Sequence, residues 1–213
     1  MSALSRQPDS PLVVADWQPQ LVQTLEEFHL AAWSERADRR ARFAASLSQF
    51  LGAQRDTEVC SFFGRYILDL DSFCHQLERG LPGPILRRRI DGIDGVTSML
   101  RYRHSVRGRR ASRFRYYIWN DADALLRADR PLFGQLVDAM AGVAAEAEYV
   151  SDDLLLIQRS IFVGSADLHE YFEDERGQFR SWWQDEFGEP FWSVVTGIEA
   201  PRFETCEIDD LDR

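Results

Sequence analysis

Four aspartates stand where a chain of alternating strands and helices would present them to a ligand. Asp69 and Asp71 follow one apolar run, and Asp121 and Asp123 follow another, Phe114-Arg115-Tyr116-Tyr117-Ile118-Trp119-Asn120. Carboxylates are the hard oxygen ligands that magnesium prefers, and two strand tips could bring these four around one ion. That arrangement would suit a metal-dependent nuclease or phosphotransferase. The plainer reading of Asn120 and Asp121 is a turn after a strand, which short polar side chains favour. A second group is cationic: Arg87, Arg88, Arg89, Arg101, Arg103, Arg109, Arg110 and Arg113, interleaved with Tyr102, Phe114, Tyr116 and Tyr117. Guanidinium groups could grip carboxylates of a protein partner, or phosphates of a nucleic acid whose bases stack on the rings.

Other chemistries are excluded by what the chain lacks. All 25 basic residues are arginine, so no lysine can grip a phosphate, form a Schiff base or act as a general base. Cys60, Cys74 and Cys206 are odd in number and form no Cys-x-x-Cys pair, which predicts reduced thiols and no zinc knuckle. His29, His75, His104 and His169 show no metal-binding spacing, and no Gly-x-Ser-x-Gly is present. No run of 18 apolar residues occurs and the start of the chain carries no export pattern, so a cytoplasmic protein is expected. The net charge of −10 is unevenly spread. Ten arginines face two aspartates between Arg87 and Arg115, whereas twelve acids face three arginines between Glu146 and Glu189. A bipolar molecule is expected.

These residues need elements to position them. Residues 1–15, with Pro8 and Pro11, read as a loose arm. Leu21, Leu25, Phe28 and Ala32, then Phe43, Leu47, Phe50 and Leu51, recur at helical steps and predict two helices or one bent helix over 16–52. Runs 57–63 and 65–70 predict at least one strand ending at Asp69, with Asp71 or Ser72 capping the helix that holds Phe73 and Leu77. Gly80 to Pro84 stops that helix, and a short helix with Val96, Met99 and Leu100 follows. Residues 101–113 read as an exposed loop. Phe114–Trp119 is the clearest strand, 129–147 is a helix capped by Asp129, and Leu154–Val163 is a central buried strand. Residues 166–172 and 179–187 read as helical, 191–196 and 202–208 as strands, and 209–213 as an acidic tail.

Strand, helix, strand, helix, strand predicts one α/β domain over 16–208. It has three layers, with a mainly parallel central sheet (56–165), helices on both faces and an N-terminal helical segment. Ligands of such sheets gather beyond the carboxyl ends of the strands, which returns attention to the four aspartates. Trp182, Trp183, Phe187, Phe191 and Trp192 form an aromatic group that reads as a lid on the core, or else as a binding hot spot.

The string Ile118-Trp119-Asn120-Asp121-Ala122-Asp123 resembles the Walker B strand of clamp-loader-like AAA+ ATPases. The likeness spans about 56–165. It implies a P-loop scaffold in which Asn120 replaces the metal-binding acid and Asp121 takes the place of the catalytic one. Without a glycine-rich loop or a lysine, it implies a degenerate relative without ATP hydrolysis. The order strand 65–70, helix 71–79, acidic loop and helix 90–101, strand 114–119, helix, strand is similar to barstar-like ribonuclease inhibitors. There Asp91 and Asp94 would face a basic enzyme.

The sequence therefore predicts a non-catalytic domain that binds a protein partner through the arginine face, with nucleic acid as a second kind of partner and no membrane. The alternatives are a metal-dependent enzyme on Asp69, Asp71, Asp121 and Asp123, and a barstar-like inhibitor. Magnesium enters only with the enzyme; otherwise no cofactor is expected.

Overall fold

The computed structural model describes residues 17–81, 92–101, 112–147, 156–172 and 202–211. The element order is α1 (Trp17–Glu27), β1 (Phe28–Trp33), α2 (Ala37–Gly52), β2 (Thr57–Phe63), α3 (Leu70–Gly80), α4 (Gly92–Leu100), β3 (Phe114–Asn120), α5 (Ala122–Ala128), α6 (Arg130–Ala147), β4 (Ile157–Gly164), α7 (Ala166–Glu170) and β5 (Arg202–Glu207). The five strands form one sheet in the order β2-β3-β4-β1-β5, and every pairing is parallel. The expected α/β class holds.

Helices cover both faces of the sheet, because a parallel sheet has no wet side. Phe62, Tyr117, Trp119 and Phe162 point toward the face packed by α3 to α7. Tyr116, Ile118, Ile161 and Val163 point to the opposite face, against α1 and α2. Trp119 is fully buried among Phe62, Phe73, Phe133 and Phe162, with ring centroids 4.8–6.4 Å away. Offset and edge-on ring pairs of this kind add to the stabilisation from burial alone.

The first correction concerns 16–52. Phe28–Trp33 is a strand, between β4 and β5, and not the continuation of a helix. Leu30, Ala31 and Ala32 are all buried, so both faces of the strand are apolar and the alternation that marks a half-exposed strand is missing. The second concerns 65–70. The strand is Thr57–Phe63, and Gly64–Tyr66 is a 3-10 turn closed by the Ile67 N–H donating to the Gly64 carbonyl. The first strand of the order that suggested a barstar-like inhibitor is therefore Thr57–Phe63 and not 65–70, and it belongs to a five-stranded sheet that also holds β1 and β5. A two-turn helix, α5, follows β3 directly and was not foreseen; Ala122, Leu125 and Leu126 bury its inner side.

Expected elements at 179–187 and 191–196, the arm, and the tryptophan-rich group lie outside the described residues. Asp209, expected in a solvent-washed tail, is tied down: it accepts from Ser34 Oγ at 2.9 Å and lies 3.1 Å from Arg39 Nε. Cys60 and Cys74 are free and buried, and burial pushes both thiols up to about 12. Burial of this kind keeps a thiol in its protonated form near neutral pH. Among the described residues, no helix is long and apolar enough to cross a membrane.

One row of the core is polar. Glu58 on β2 lies opposite Arg115 on β3, which lies opposite Gln158 on β4. Arg115 Nε donates to Glu58 Oε2 at 2.8 Å, Arg115 Nη1 donates to the Leu100 carbonyl at 3.1 Å, and the Tyr117 hydroxyl donates to Gln158 Oε1 at 2.7 Å. Burial works against the Arg115 charge, but Tyr117 and Glu58 outweigh it and hold its pKa above the usual value. This arginine belongs to the core, not to a surface lobe.

Candidate functional site

The carboxyl ends of the strands gather the side chains that parallel sheets use for ligands. Here most of these groups are committed to one another. At the end of β3, Asn120 Nδ2 donates to the Phe62 carbonyl at 3.0 Å, holding the strand tip to β2. Asp121 turns the chain with φ +49°, a left-handed conformation that aspartate tolerates better than most residues, and its carboxylate pairs with Arg65. Asp123 is buried in α5; its Oδ2 accepts from Arg127 at 2.7 Å and from Ser165 Oγ at 2.8 Å. Arg127 also reaches Asp167 at 2.7 Å. Between β1 and α2 stand only Ser34, Glu35 and Arg36, and Glu35 Oε1 accepts the Ala166 N–H at the start of α7, 3.0 Å away.

Asp69 and Asp71 sit elsewhere in the network. Asp69, rather than Asp71 or Ser72, caps α3: its Oδ1 accepts the Ser72 N–H at 2.7 Å, while Ser72 Oγ accepts the Asp69 N–H at 3.0 Å. This reciprocal capping box satisfies two helix-end donors at once. Asp71 is exposed, 3.7 Å from His75 Nδ1. Among the described residues, no three His, Cys, Asp or Glu side chains converge to hold a metal ion. The hydrogen bonds from Ser72 hold the Asp69 carboxyl below its ordinary value. Its contribution to stability is thus complete above the ordinary carboxylate range and disappears as pH falls through the lowered value. The expected outcome is that Asp69→Ala lowers the melting temperature at pH 7, while the difference from the parent closes in strong acid. Melts across a pH series check it.

Of the eight candidate arginines, Arg101 and Arg113 are described and both are exposed. Arg113 donates its N–H to the Asp56 carbonyl at 2.8 Å, which sets it beside the amino end of β2, and its guanidinium lies 5.5 Å from the Phe114 ring. Arg101 ends α4, whose Leu100 carbonyl reaches Arg115 near the start of β3. Both therefore stand at the amino end of the sheet, away from the strand tips. Arg87, Arg88, Arg89, Arg103, Arg109 and Arg110 lie outside the described residues.

Sequence reasoning missed the largest apolar exposure. Phe63, Tyr66 and Leu68 are 44%, 63% and 79% exposed, and they are the exposed large hydrophobics among the described residues. They follow one another off the end of β2, where the 3-10 turn throws onto the surface side chains that a continued strand would have buried on one face. Beside them a groove of about 650 Å³ runs between β2 and α3, with Ser61, His75, Gln76 and Arg79 along it. The signal was present in Phe63-Gly64-Arg65-Tyr66-Ile67-Leu68: a glycine and an arginine interrupt the apolar run, and of its four large hydrophobics Ile67 alone is buried, beside the buried Gly64.

No protein-family model and no curated protein matches the sequence. Among solved structures the chain is similar to Drosophila ORC bound to GC-rich DNA and Cdc6, at 17% identity over 90% of this chain and a TM-score of 0.48. It is similar also to Drosophila ORC bound to AT-rich DNA and Cdc6, at 19% identity over 90% of this chain with a TM-score of 0.47. The chain spans 28% of the length of each of those ORC chains. At these values the likeness is one of α/β fold alone.

Proposed function

We propose that this chain is a non-catalytic protein-binding domain on an AAA+-like scaffold that has given up nucleotide chemistry. The observation that carries the reading is the cluster of Phe63, Tyr66 and Leu68, aromatic and aliphatic groups held in water beside a groove. Exposed apolar clusters of this kind, rimmed by charge, are where partners gain most on binding. Arg101 and Arg113 would add an electrostatic contact at the far end of the sheet, steering an acidic partner.

The loss of nucleotide chemistry has local physical support. A P-loop cradles phosphates with the backbone of a glycine-rich loop between strand and helix and grips them with a lysine. The three residues here bring Glu35 instead, and Asp38 follows in the first turn of α2. Glu35 would repel a triphosphate, while Asp38 is already paired with Arg36 and Arg42. The strand-tip acids that could hold magnesium are bonded to Arg65, Arg127 and Ser165. Calorimetric titration with magnesium, manganese or Mg-ATP is therefore expected to give no binding heat, with no shift in melting temperature. A saturable heat abolished by Asp121→Ala would overturn this and restore the metal-dependent enzyme.

The binding role is tested with a Phe63→Ser, Tyr66→Ser, Leu68→Ser variant, alongside Arg101→Glu with Arg113→Glu, each shown to melt like the parent. Cross-linking in cells followed by mass spectrometry should show specific partners lost from the triple variant and weakened in the double one. Unchanged partner sets in both would sink the reading.

A further inference from the structure

We propose that the protein docking at this surface is a second copy of the same chain, joined edge to edge through β2 about a two-fold axis at Val59. The inference rests on the protein-binding reading above and names the partner.

β2 is an end strand of the sheet, and among the described residues no strand lies on its outer side. Its even-numbered peptide groups face β3: the Asp56 carbonyl accepts from Phe114 and the Phe62 carbonyl accepts from Asn120. The odd-numbered groups consequently face outward, since peptide directions alternate along a strand. Phe63 shows this directly. Its N–H donates to Gln76 Oε1 at 2.8 Å and its carbonyl accepts from Gln76 Nε2 at 3.3 Å, so one side-chain amide stands in for a neighbouring strand. Gln76 closes the edge at that point. Among the described residues, the outward groups of Thr57, Val59 and Ser61 form an open row, a template for another strand.

Charge selects the occupant. The amino end of this row carries exposed Arg55 next to Asp56, with exposed Arg113 behind them on the β3 side, bonded to the Asp56 carbonyl. The carboxyl end carries Asp69 and the exposed Asp71; the arginine at that end, Arg65, is already paired with Asp121. Arg79 lies along the groove and His75 faces Asp71. A parallel neighbour would set like ends together. An antiparallel copy sets the arginine end of each chain against the aspartate end of the other, and both contacts form at once, as a two-fold interface requires. The register follows from Gln76. With Val59 on the axis, Thr57 lies opposite Ser61 and all three open residues pair, while Phe63 lies opposite Arg55 of the second copy. The sheet then runs through ten strands, twice the five of one chain.

The test is sedimentation of the full chain across a concentration series. The expected parent is a dimer. Ser61→Pro removes an outward donor, which an edge strand tolerates, and should raise the dimer dissociation constant at least tenfold while leaving the melt of the monomer nearly unchanged. Arg55→Asp and Asp71→Arg should each weaken the dimer, and the two together should restore it, an outcome no merely structural damage produces. A parent that stays monomeric at its highest soluble concentration overturns the proposal, as does a dimer indifferent to all these changes. A monomer whose serine triple variant still loses cellular partners leaves the protein-binding reading standing with a different occupant. A monomer whose partner set never changes removes both.

Discussion

Glu58→Ala lowers the unfolding free energy by about 3–5 kcal/mol, the loss typical of removing one partner from a buried ion pair. The Arg115 side chain is wholly buried, and Glu58 is only 11% exposed. Arginine cannot escape by losing its proton, because its pKa lies far above any condition under which the protein folds. Without Glu58 the guanidinium keeps Tyr117 and the Leu100 carbonyl but loses the carboxylate 2.8 Å from its Nε. Urea unfolding followed by tryptophan fluorescence measures the loss. A cost below about 1 kcal/mol would mean that water reaches Arg115, contradicting its burial. Glu58→Leu combined with Arg115→Met should recover most of the stability, since apolar groups of similar volume often replace a buried pair without penalty.

The same pair has a second consequence. A parallel sheet buried on both faces has weak alternation to set its register, and a one-residue slip turns every side chain to the other face. The Arg115–Glu58 ion pair fixes β2 against β3, and the Tyr117 hydroxyl bond to Gln158 fixes β4 against β3. β2 carries the open edge and leads directly into Phe63 and Tyr66. The polar row at one end of the sheet therefore helps place the apolar surface at the other.

How far the sequence discloses this can be traced through particular residues. Phe114–Asn120 was legible because aromatic and β-branched residues run together and a turn pair follows. Phe28–Trp33 was not, because Leu21, Leu25, Phe28 and Ala32 mimic a helical stripe and a strand buried on both sides shows no alternation of its own. The two turns of α5 are too short for periodicity to register. The cap of α3 was expected at Asp71 or Ser72, and the reciprocal hydrogen bonds with Ser72 put it at Asp69 instead. Arg115 read as one more surface cation. Its partner lies 57 residues earlier, and only strand register brings the two together. Asp121 and Asp123 follow the end of β3 as expected, whereas Asp69 and Asp71 stand at the start of α3, beyond the 3-10 turn and not at a strand tip. What the chain alone could not show is that Arg65 holds Asp121, Arg127 and Ser165 hold Asp123, and Ser72 holds Asp69, which leaves Asp71 exposed beside His75.

Gly64→Ala is expected to cost about 3 kcal/mol, at the upper end of what forcing one methyl into a packed site does. A Cβ at Gly64 would fall well inside contact distance of the Asp121 carbonyl oxygen, 3.0 Å from its carbonyl carbon and 3.2 Å from the Ala122 Cα. All three are backbone atoms, so no rotamer change relieves the clash. Nor can Asp121 move easily, since its backbone already sits at φ +49° and turns the chain from β3 into α5. The end of β2 and the start of α5 must part, straining the Asn120 bond to Phe62 and the Arg65–Asp121 pair. Phe63 and Tyr66 flank the glycine turn, so the substitution should weaken partner binding as well as lower the melting temperature. Gly52→Ala is the control: its added Cβ meets nothing within 4 Å, and the melt should hold or rise slightly. Equal melts for the two variants would mean that the turn is not locked against α5. The surface formed by Phe63, Tyr66 and Leu68 would then have no rigid support.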